Sequence, residues 1–444
     1  TSQGNIDSAI DIFKKLLQTD AANARAEYNL GFLYNEKGLI DDAIAAYKKA
    51  IQMKPDYYQS LNNLGIIYFK KGLLDNAVAI YTKAIEVNAD YAESYYNLGT
   101  TYLEQGQLDN AISQLEKSTS LAPDFAGAYY NLGIAYRKKG MPDEAISALN
   151  RALEINPEDL KSLNILAITL HEKGKFEDAI FEYEKIAAIT PKDANVRYNL
   201  GVAYYKAGMR KEAISELQKA LKLEPDHTKA HYNLGVIYMK KNKLSKSIEE
   251  FKKTYKIEPG HADAYVNLGV VYYRQGLPEE AITAYNRALE IKPDYAEAYY
   301  NSSFAYLKKG LIDDAINMLK KGIELNPDRG LLYFLLGNAY SDKSLLDESI
   351  IAWESAIERN QNHYKAYNNL GFAYYSKGLA DRAITSLKKA IKIKENYAEA
   401  HYHLGSIYLE KEMLKVAVSE LTRTIELKPD HTKAHYNLGL IYRH

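Results

Sequence analysis

The sequence of 444 residues contains no cysteine and a single tryptophan, Trp353. Without cysteine the chain cannot form a disulfide, a zinc site with thiolate ligands or a thiol nucleophile. Its 57 basic residues balance its 57 acidic residues, so it lacks the basic excess that binding to nucleic acid uses. No apolar run approaches the roughly 20 residues that a membrane-spanning helix needs. We therefore expect neither nucleic-acid binding nor membrane insertion.

The beginning of the sequence gives little indication of where the protein resides. Residues 1–7 are polar, lack methionine and lead directly into patterned sequence, so we expect a secretory signal to be absent or already removed. A cytoplasmic location is favoured, and a mature exported protein stays an alternative. The location is therefore left open.

No motif of a known catalytic type is present: the sequence lacks a P-loop, an HExxH helix, a GxSxG turn and a GxGxxG that follows a strand. His227 and His231 could share a helix face, but a metal site would need a third ligand that the sequence does not place nearby. We expect no catalytic residue, no cofactor and no metal. The chain is predicted not to be an enzyme.

What the sequence does have is a period of 34 residues. The string Tyr-Asn-Leu-Gly or a close variant recurs, and small residues, Ala167 and Ser303, stand at two positions of the same register. Its glycines are residues 31, 65, 99, 133, 201, 235, 269, 337, 371, 405 and 439. A tyrosine follows three residues later in nearly every copy. A repeat of this length indicates a stack of similar units rather than separate globular domains.

Each period contains two predicted helices. Apolar residues recur at helical spacing around Leu30 and again around Ala43. A second glycine column ends the first helix, because glycine tolerates the left-handed conformation of a helix end. Its members are residues 4, 38, 72, 106, 140, 174, 208, 276, 310 and 378. A proline column represented by Pro55 ends the second helix. Acidic residues begin the second helices and lysines end the first helices, as the helix dipole favours. The mid-helix glycine column is expected to allow two helix backbones to pack closely.

This pattern of Leu-Gly, Tyr34, Ala43, Tyr47, Ala50 and Pro55 strongly resembles the tetratricopeptide repeat. The resemblance covers essentially the whole chain and implies an all-α, right-handed superhelical solenoid of antiparallel helix pairs. We expect one continuous array over residues 1–444. A second helix alone occupies 1–23, twelve full repeats occupy 24–431, and a first helix alone occupies 432–444.

An asparagine column precedes the Leu-Gly pair. Its members are Asn29, Asn63, Asn97, Asn131, Asn199, Asn233, Asn267, Asn301, Asn369 and Asn437, and the column is interrupted by Ile165, Leu335 and His403. Asparagine is a poor helix former, so its recurrence needs a reason. The resemblance implies that this face lines a concave groove, where each amide offers a donor and an acceptor to an extended peptide. Similar asparagine ladders line the superhelix of the O-linked N-acetylglucosamine transferase family. Nothing in this sequence resembles the catalytic domain of that family.

Aromatic residues accompany the asparagines and are predicted to line the same groove: Tyr28, Tyr96, Tyr130, Tyr198, Tyr232 and Tyr300. Tyrosine provides a large contact area with few rotatable bonds and a polar tip. The sequence therefore predicts a scaffold that binds a protein or an extended peptide. Two alternatives for the asparagine column are inheritance by duplication and bonding to a neighbouring repeat.

Two further functions are compatible with the repeat. The half repeats at the two ends complement each other, so the face of Leu440, Ile441 and Tyr442 could support head-to-tail self-association into filaments. The array could also be the substrate-recruiting portion of a larger enzyme such as a glycosyltransferase. The sequence names neither the partner nor the oligomeric state.

Overall fold

The computed structural model describes the backbone of residues 2–443 and the side chains of residues 5–443, which form 26 helices and no strand. Contacts divide the chain into two compact units, Thr1–Pro225 and Asp226–His444. The predicted all-α fold of antiparallel helix pairs is confirmed. The single continuous array over 1–444 stays a prediction.

The first unit alternates second and first helices. Its first helices are α2 (Ala24–Glu36), α4 (Tyr58–Lys70), α6 (Ala92–Glu104), α8 (Ala126–Lys138), α10 (Leu160–Glu172) and α12 (Ala194–Lys206). Its second helices are α1 (Ser2–Thr19), α3 (Ile40–Met53), α5 (Leu74–Val87), α7 (Leu108–Leu121), α9 (Pro142–Ile155), α11 (Phe176–Ile189) and α13 (Arg210–Leu223).

The second unit continues the same alternation. Its first helices are α14 (Thr228–Lys240), α16 (Ala262–Gln275), α18 (Ala296–Lys308), α20 (Gly330–Asp342), α22 (Tyr364–Ser376), α24 (Ala398–Glu410) and α26 (Thr432–Arg443). Its second helices are α15 (Leu244–Ile257), α17 (Pro278–Ile291), α19 (Ile312–Leu325), α21 (Leu346–Arg359), α23 (Ala380–Ile393) and α25 (Leu414–Leu427).

The helix ends follow the two predicted columns. Glycines of the second column adopt positive φ from 74° to 83° directly after the first helices, and Pro55 and its equivalents follow the second helices. Gly4 is an exception, because it lies inside α1 and ends no helix. At three repeats the left-handed position is filled by Asn242, Ser344 and Glu412. The turn geometry is thus kept even where the residue is not glycine.

The mid-helix glycine column serves a different purpose from the predicted close approach of two backbones. A Cβ built on Gly65 would lie 2.5 Å from the Tyr81 ring, and one on Gly337 would lie 2.6 Å from the Trp353 ring. In each case the contacting side chain belongs to the second helix, sixteen residues later in the sequence. The glycine therefore makes room for a large buried side chain, which fixes each first helix on its second helix.

Within each unit, neighbouring first helices lie closer together than neighbouring second helices. Successive first helices pack on each other, as α4 does on α6 and α16 on α18, whereas no two successive second helices of the described chain pack as extensively. Elements that approach each other more closely on one side of a stack place that side on the inside of its curvature. The first helices thus form the inner face of each unit.

Lysines at the ends of first helices pair with acidic residues that begin the preceding second helix. Lys71 lies 3.2 Å from Asp41, Lys139 lies 2.6 Å from Asp109, and Lys309 lies 3.5 Å from Glu279. The helix dipole favours both placements, but the sequence interpretation missed that the two columns meet each other across repeats. Because the pairs are exposed, each stabilises the stack by roughly 0.2–1 kcal/mol.

The need for glycine beneath the large side chain can be tested at Gly269. A Cβ added there would lie 2.5 Å from the Tyr285 ring. We expect Gly269→Ala to lower the unfolding free energy of the chain by about 1–3 kcal/mol, because overpacking outweighs the better helix propensity of alanine. Gly260→Ala is the control, since a Cβ there meets nothing within 4 Å. Equal urea midpoints for the two variants would contradict this account.

Candidate functional site

The predicted groove residues lie on the inner face of the first helices. The asparagines of the column are partly exposed, except Asn131, which is 9% exposed and counts as buried. The six predicted tyrosines are also partly exposed. Each unit thus presents a row of amides and phenols on one face.

Six amides of the column donate a hydrogen bond to the preceding first helix through Nδ2. Asn63 and Asn267 donate to the hydroxyls of Tyr28 and Tyr232, at 3.4 and 2.9 Å. Asn97 donates to Asn62 Oδ1 at 3.0 Å. Asn131, Asn369 and Asn437 donate to Thr100, Asn338 and Ser406 at 2.9, 3.0 and 3.2 Å. The alternative that asparagine bonds to a neighbouring repeat is thus realised at these positions.

At Asn301 the hydrogen bond to the preceding first helix is missing, and the sequence shows why. Val266 occupies the position that Tyr28 and Tyr232 hold in other repeats, and Asn301 makes no such bond among the described residues. A valine offers no acceptor, so the amide of Asn301 has nothing to bond on the preceding helix. The asparagines of the column therefore differ in their hydrogen bonds.

Four of the predicted tyrosines contact the residue that precedes the next first helix. The ring centroids of Tyr28 and Tyr57 lie 5.1 Å apart, and those of Tyr96 and Phe125 lie 4.7 Å apart. Tyr232 stacks on His261 at 4.9 Å, and the Arg329 guanidinium lies 4.0 Å from the Tyr300 ring. Sequence reasoning missed this second aromatic column, although its period of 34 residues was visible.

The tyrosines thus have a structural task besides any contact with a partner. They join each first helix to the start of the next one, and burial raises the pKa values of Tyr130 and Tyr232 above the usual value. The apolar column next to them is more open: Phe32 is 48% exposed and Phe372 is 49% exposed. Aromatic surface is therefore accessible at particular repeats.

The two histidines considered for metal binding have other roles. His227 Nδ1 accepts the Ala230 N–H at the start of α14, and His231 Nδ1 lies 2.6 Å from Glu250 Oε2. No group of three potential ligands occurs among the residues that the structure describes. His227 thus caps a helix and His231 ties it to the next one.

His401 is held between two acceptors. Burial disfavours its charged form, but its bonds to the Glu420 carboxylate and the Glu395 carbonyl outweigh this and raise the pKa of the ring. Both ring nitrogens face acceptor oxygens, and a neutral imidazole can donate only one of these two bonds. The ring links α24 to α25.

The residues proposed for self-association belong to α26. Leu440 and Ile441 are partly exposed, and Ile441 packs against the buried cluster of the preceding helices. Tyr442 is 71% exposed. Self-association through this face stays a prediction.

Recessed sites also lie on the opposite face, in the furrows between successive second helices. One of about 630 Å³ is lined by Tyr129, Tyr136, Glu116 and Arg151, and Tyr136 donates its hydroxyl to Glu116. A similar furrow of about 340 Å³ contains the stacked rings of Tyr255 and Tyr265. Sequence reasoning did not predict these furrows.

No helix among the described residues combines the length and the apolar character that crossing a membrane requires.

A histidine in the asparagine column gives a testable pH dependence. Burial lowers the pKa of His403 to about 4. The folded state therefore disfavours its protonation, and the stability it contributes is lost as the pH falls from the unfolded value of roughly 6.5 towards 4. We expect His403→Asn to reduce the loss of urea resistance between pH 7 and pH 4.5. Identical pH profiles of the variant and the parent would refute this.

Comparison with known families places these features in context. Tetratricopeptide repeat models match residues 262–295, 33–72, 373–412, 296–329 and 398–431. The model of the C-terminal domain of cilia and flagella-associated protein 70 matches residues 58–263. No curated protein matches the sequence.

Solved structures provide further similarities. MamA is 30% identical, with 39% of this chain and 94% of MamA covered and a TM-score of 0.37. YrrB, described as a TPR protein with an unusual peptide-binding site, is 25% identical, with 42% and 96% covered and a TM-score of 0.38. Yeast Tom70 is 17% identical, with 95% of each chain covered and a TM-score of 0.37.

These repeat matches and the 58–263 match together span most of both units. The boundaries of the matches to 262–295, 296–329 and 398–431 coincide with helix pairs described above. Such repeats serve as scaffolds for interactions between proteins. The chain belongs to the tetratricopeptide repeat proteins.

Proposed function

We propose that this protein is a non-catalytic scaffold whose inner face holds an extended peptide segment of a partner protein. The observation that carries the proposal is the asparagine column, which presents partly exposed amides at the same place on successive first helices. An amide provides both a donor and an acceptor and so matches the main chain of a peptide. Main-chain recognition of this kind tolerates many peptide sequences.

The hydrogen bonds within the column support this role. Asn131 uses Nδ2 to reach Thr100, and Asn267 uses Nδ2 to reach Tyr232. One N–H is thereby occupied and the side chain is held in one orientation, while the amide keeps a second N–H and the oxygen for a partner. Bonding to the neighbouring repeat and binding of a peptide are thus compatible, and the first prepares the second by reducing the entropy lost on binding.

The spacing also suits an extended peptide. Packed helices lie about 8–10 Å apart, and an extended chain advances about 3.3 Å per residue. One amide would then meet the peptide at about every third residue. Exposed rings such as Phe32 and Phe372 offer apolar contacts between these points, which would supply preference among peptide sequences.

The proposal is tested with the triple variant Asn97→Ala, Asn131→Ala and Asn199→Ala. We expect it to bind nonapeptides from an array at least tenfold more weakly than the parent, because each lost hydrogen bond costs about 0.5–1.5 kcal/mol. Fluorescence anisotropy of the labelled peptides selected on the parent gives the affinities. Thermal unfolding of each variant checks that it is folded.

A matched control uses three exposed asparagines of second helices in the same unit, Asn76→Ala, Asn110→Ala and Asn150→Ala. We expect this control to bind as the parent does. Equal affinity of both triple variants would leave the asparagine column without a role in binding.

A further inference from the structure

The indole of Trp353 fixes the donor and acceptor roles in a series of hydrogen bonds between three asparagines. Its indole Nε1 donates to Asn338 Oδ1 at 3.0 Å, and an indole N–H cannot accept. Asn338 Oδ1 also accepts from Asn369 Nδ2 at 3.0 Å. Asn369 Oδ1 in turn accepts from Asn368 Nδ2 at 3.3 Å. The orientation of all three amides is therefore set by the single tryptophan.

The last oxygen of this series, Asn368 Oδ1, accepts no hydrogen bond from the residues that the structure describes. Asn368 is 5% exposed, and its Oδ1 has no hydrogen-bond partner among the described residues. A buried polar atom without a partner costs about 1–3 kcal/mol. Reversing the amide of Asn368 does not remove the problem, since its oxygen would then face Asn369 Oδ1. The oxygen needs a donor from elsewhere.

The equivalent position nine repeats earlier in the sequence shows which donors are missing. There, Asn62 Oδ1 accepts from Asn97 Nδ2 at 3.0 Å and from Ser94 Oγ at 3.3 Å. In the later copy Ala400 replaces the serine and His403 replaces the asparagine. Ala400 has no side-chain donor, and the His403 ring makes no hydrogen bond to Asn368 Oδ1, so neither position supplies the bond that Asn62 receives.

The surroundings limit what kind of group can supply the donor. The ring of Phe372, one helical turn after Asn368 on α22, is 49% exposed and can lie against a planar group. Lys394 Nζ lies 4.6 Å from the Tyr364 ring centroid and 3.2 Å from its hydroxyl. Because Tyr364 lies one helical turn before Asn368, this ammonium disfavours cationic donors at the site through charge repulsion, and a neutral donor is favoured.

We propose that Asn368, Phe372 and His403 form a subsite of the inner face that takes the primary carboxamide of a glutamine or asparagine side chain of the bound peptide. The carboxamide N–H donates to Asn368 Oδ1, and its plane lies on the Phe372 ring. Because Asn368 is 5% exposed, the side chains that cover its oxygen must move as the group enters. This inference rests on the proposed function and adds a side-chain preference to it.

The test uses nonapeptides that differ only in the central residue, which is Gln, Met, Ser, Glu or Lys. Trp353, the only tryptophan, is excited selectively, and its fluorescence follows binding at the other end of the amide series. We expect the Gln peptide to bind the full chain about tenfold more tightly than the Met peptide, because it alone satisfies the buried oxygen. The Lys peptide is expected to bind most weakly.

Two variants separate the subsite from a structural effect. Asn368→Leu removes the acceptor, and the double variant Ala400→Ser with His403→Asn restores the internal donors found at Asn62. We expect both to abolish the preference for Gln over Met. The double variant is also expected to be the more stable of the two in urea, because it satisfies the oxygen without creating a cavity.

The outcomes distinguish this inference from the proposed function. Equal binding of the Gln and Met peptides by the parent overturns the subsite and leaves main-chain binding intact. A preference for Gln that persists in the double variant also overturns it, as does preferred binding of the Ser peptide. Failure of every peptide to bind overturns the proposed function and the subsite together.

Discussion

Most repeats depend on the contact between a glycine of the first helix and a large side chain of the second helix. At Gly65 and Tyr81, or Gly337 and Trp353, no Cβ could be added without displacing the ring. The ring fills the space between the two helices and fixes their distance and angle. Because this contact recurs with the same period, the first helices of each unit stand in register, and so do the side chains of their inner face.

The same side chains of the inner face hold neighbouring repeats together and would face a bound peptide. Tyr28 and Tyr232 stack on the next repeat and accept from Asn63 and Asn267. Such contacts hold neighbouring repeats together, and in a solenoid the stability of the stack is close to the sum of these neighbour terms. They also restrict the side chains that would meet a peptide. A preorganised surface of this kind loses little conformational entropy on binding.

Differences between nearly identical repeats show where the contacts of the inner face change. A single substitution changes one contact, but the exchange of Ser94 and Asn97 for Ala400 and His403 changes the whole environment of an equivalent amide. Burial then lowers the pKa of His403 to about 4, so the ring stays neutral near pH 7. The repeat before the one in which the donors disappear carries Phe372, whose ring is 49% exposed. Specificity in a repetitive protein can arise where such local changes coincide.

The sequence by itself determined the period, the helix pairs, their ends and the face on which the asparagines lie, since these follow from local backbone preferences and from the spacing of apolar residues. It did not determine which partner each polar group finds. The pairing of Lys71 with Asp41, the stacking of Tyr96 on Phe125 and the unsatisfied oxygen of Asn368 arise between residues about thirty or more positions apart. Only the packing of one repeat on the next brings these groups together, because that packing sets distances that no local pattern encodes.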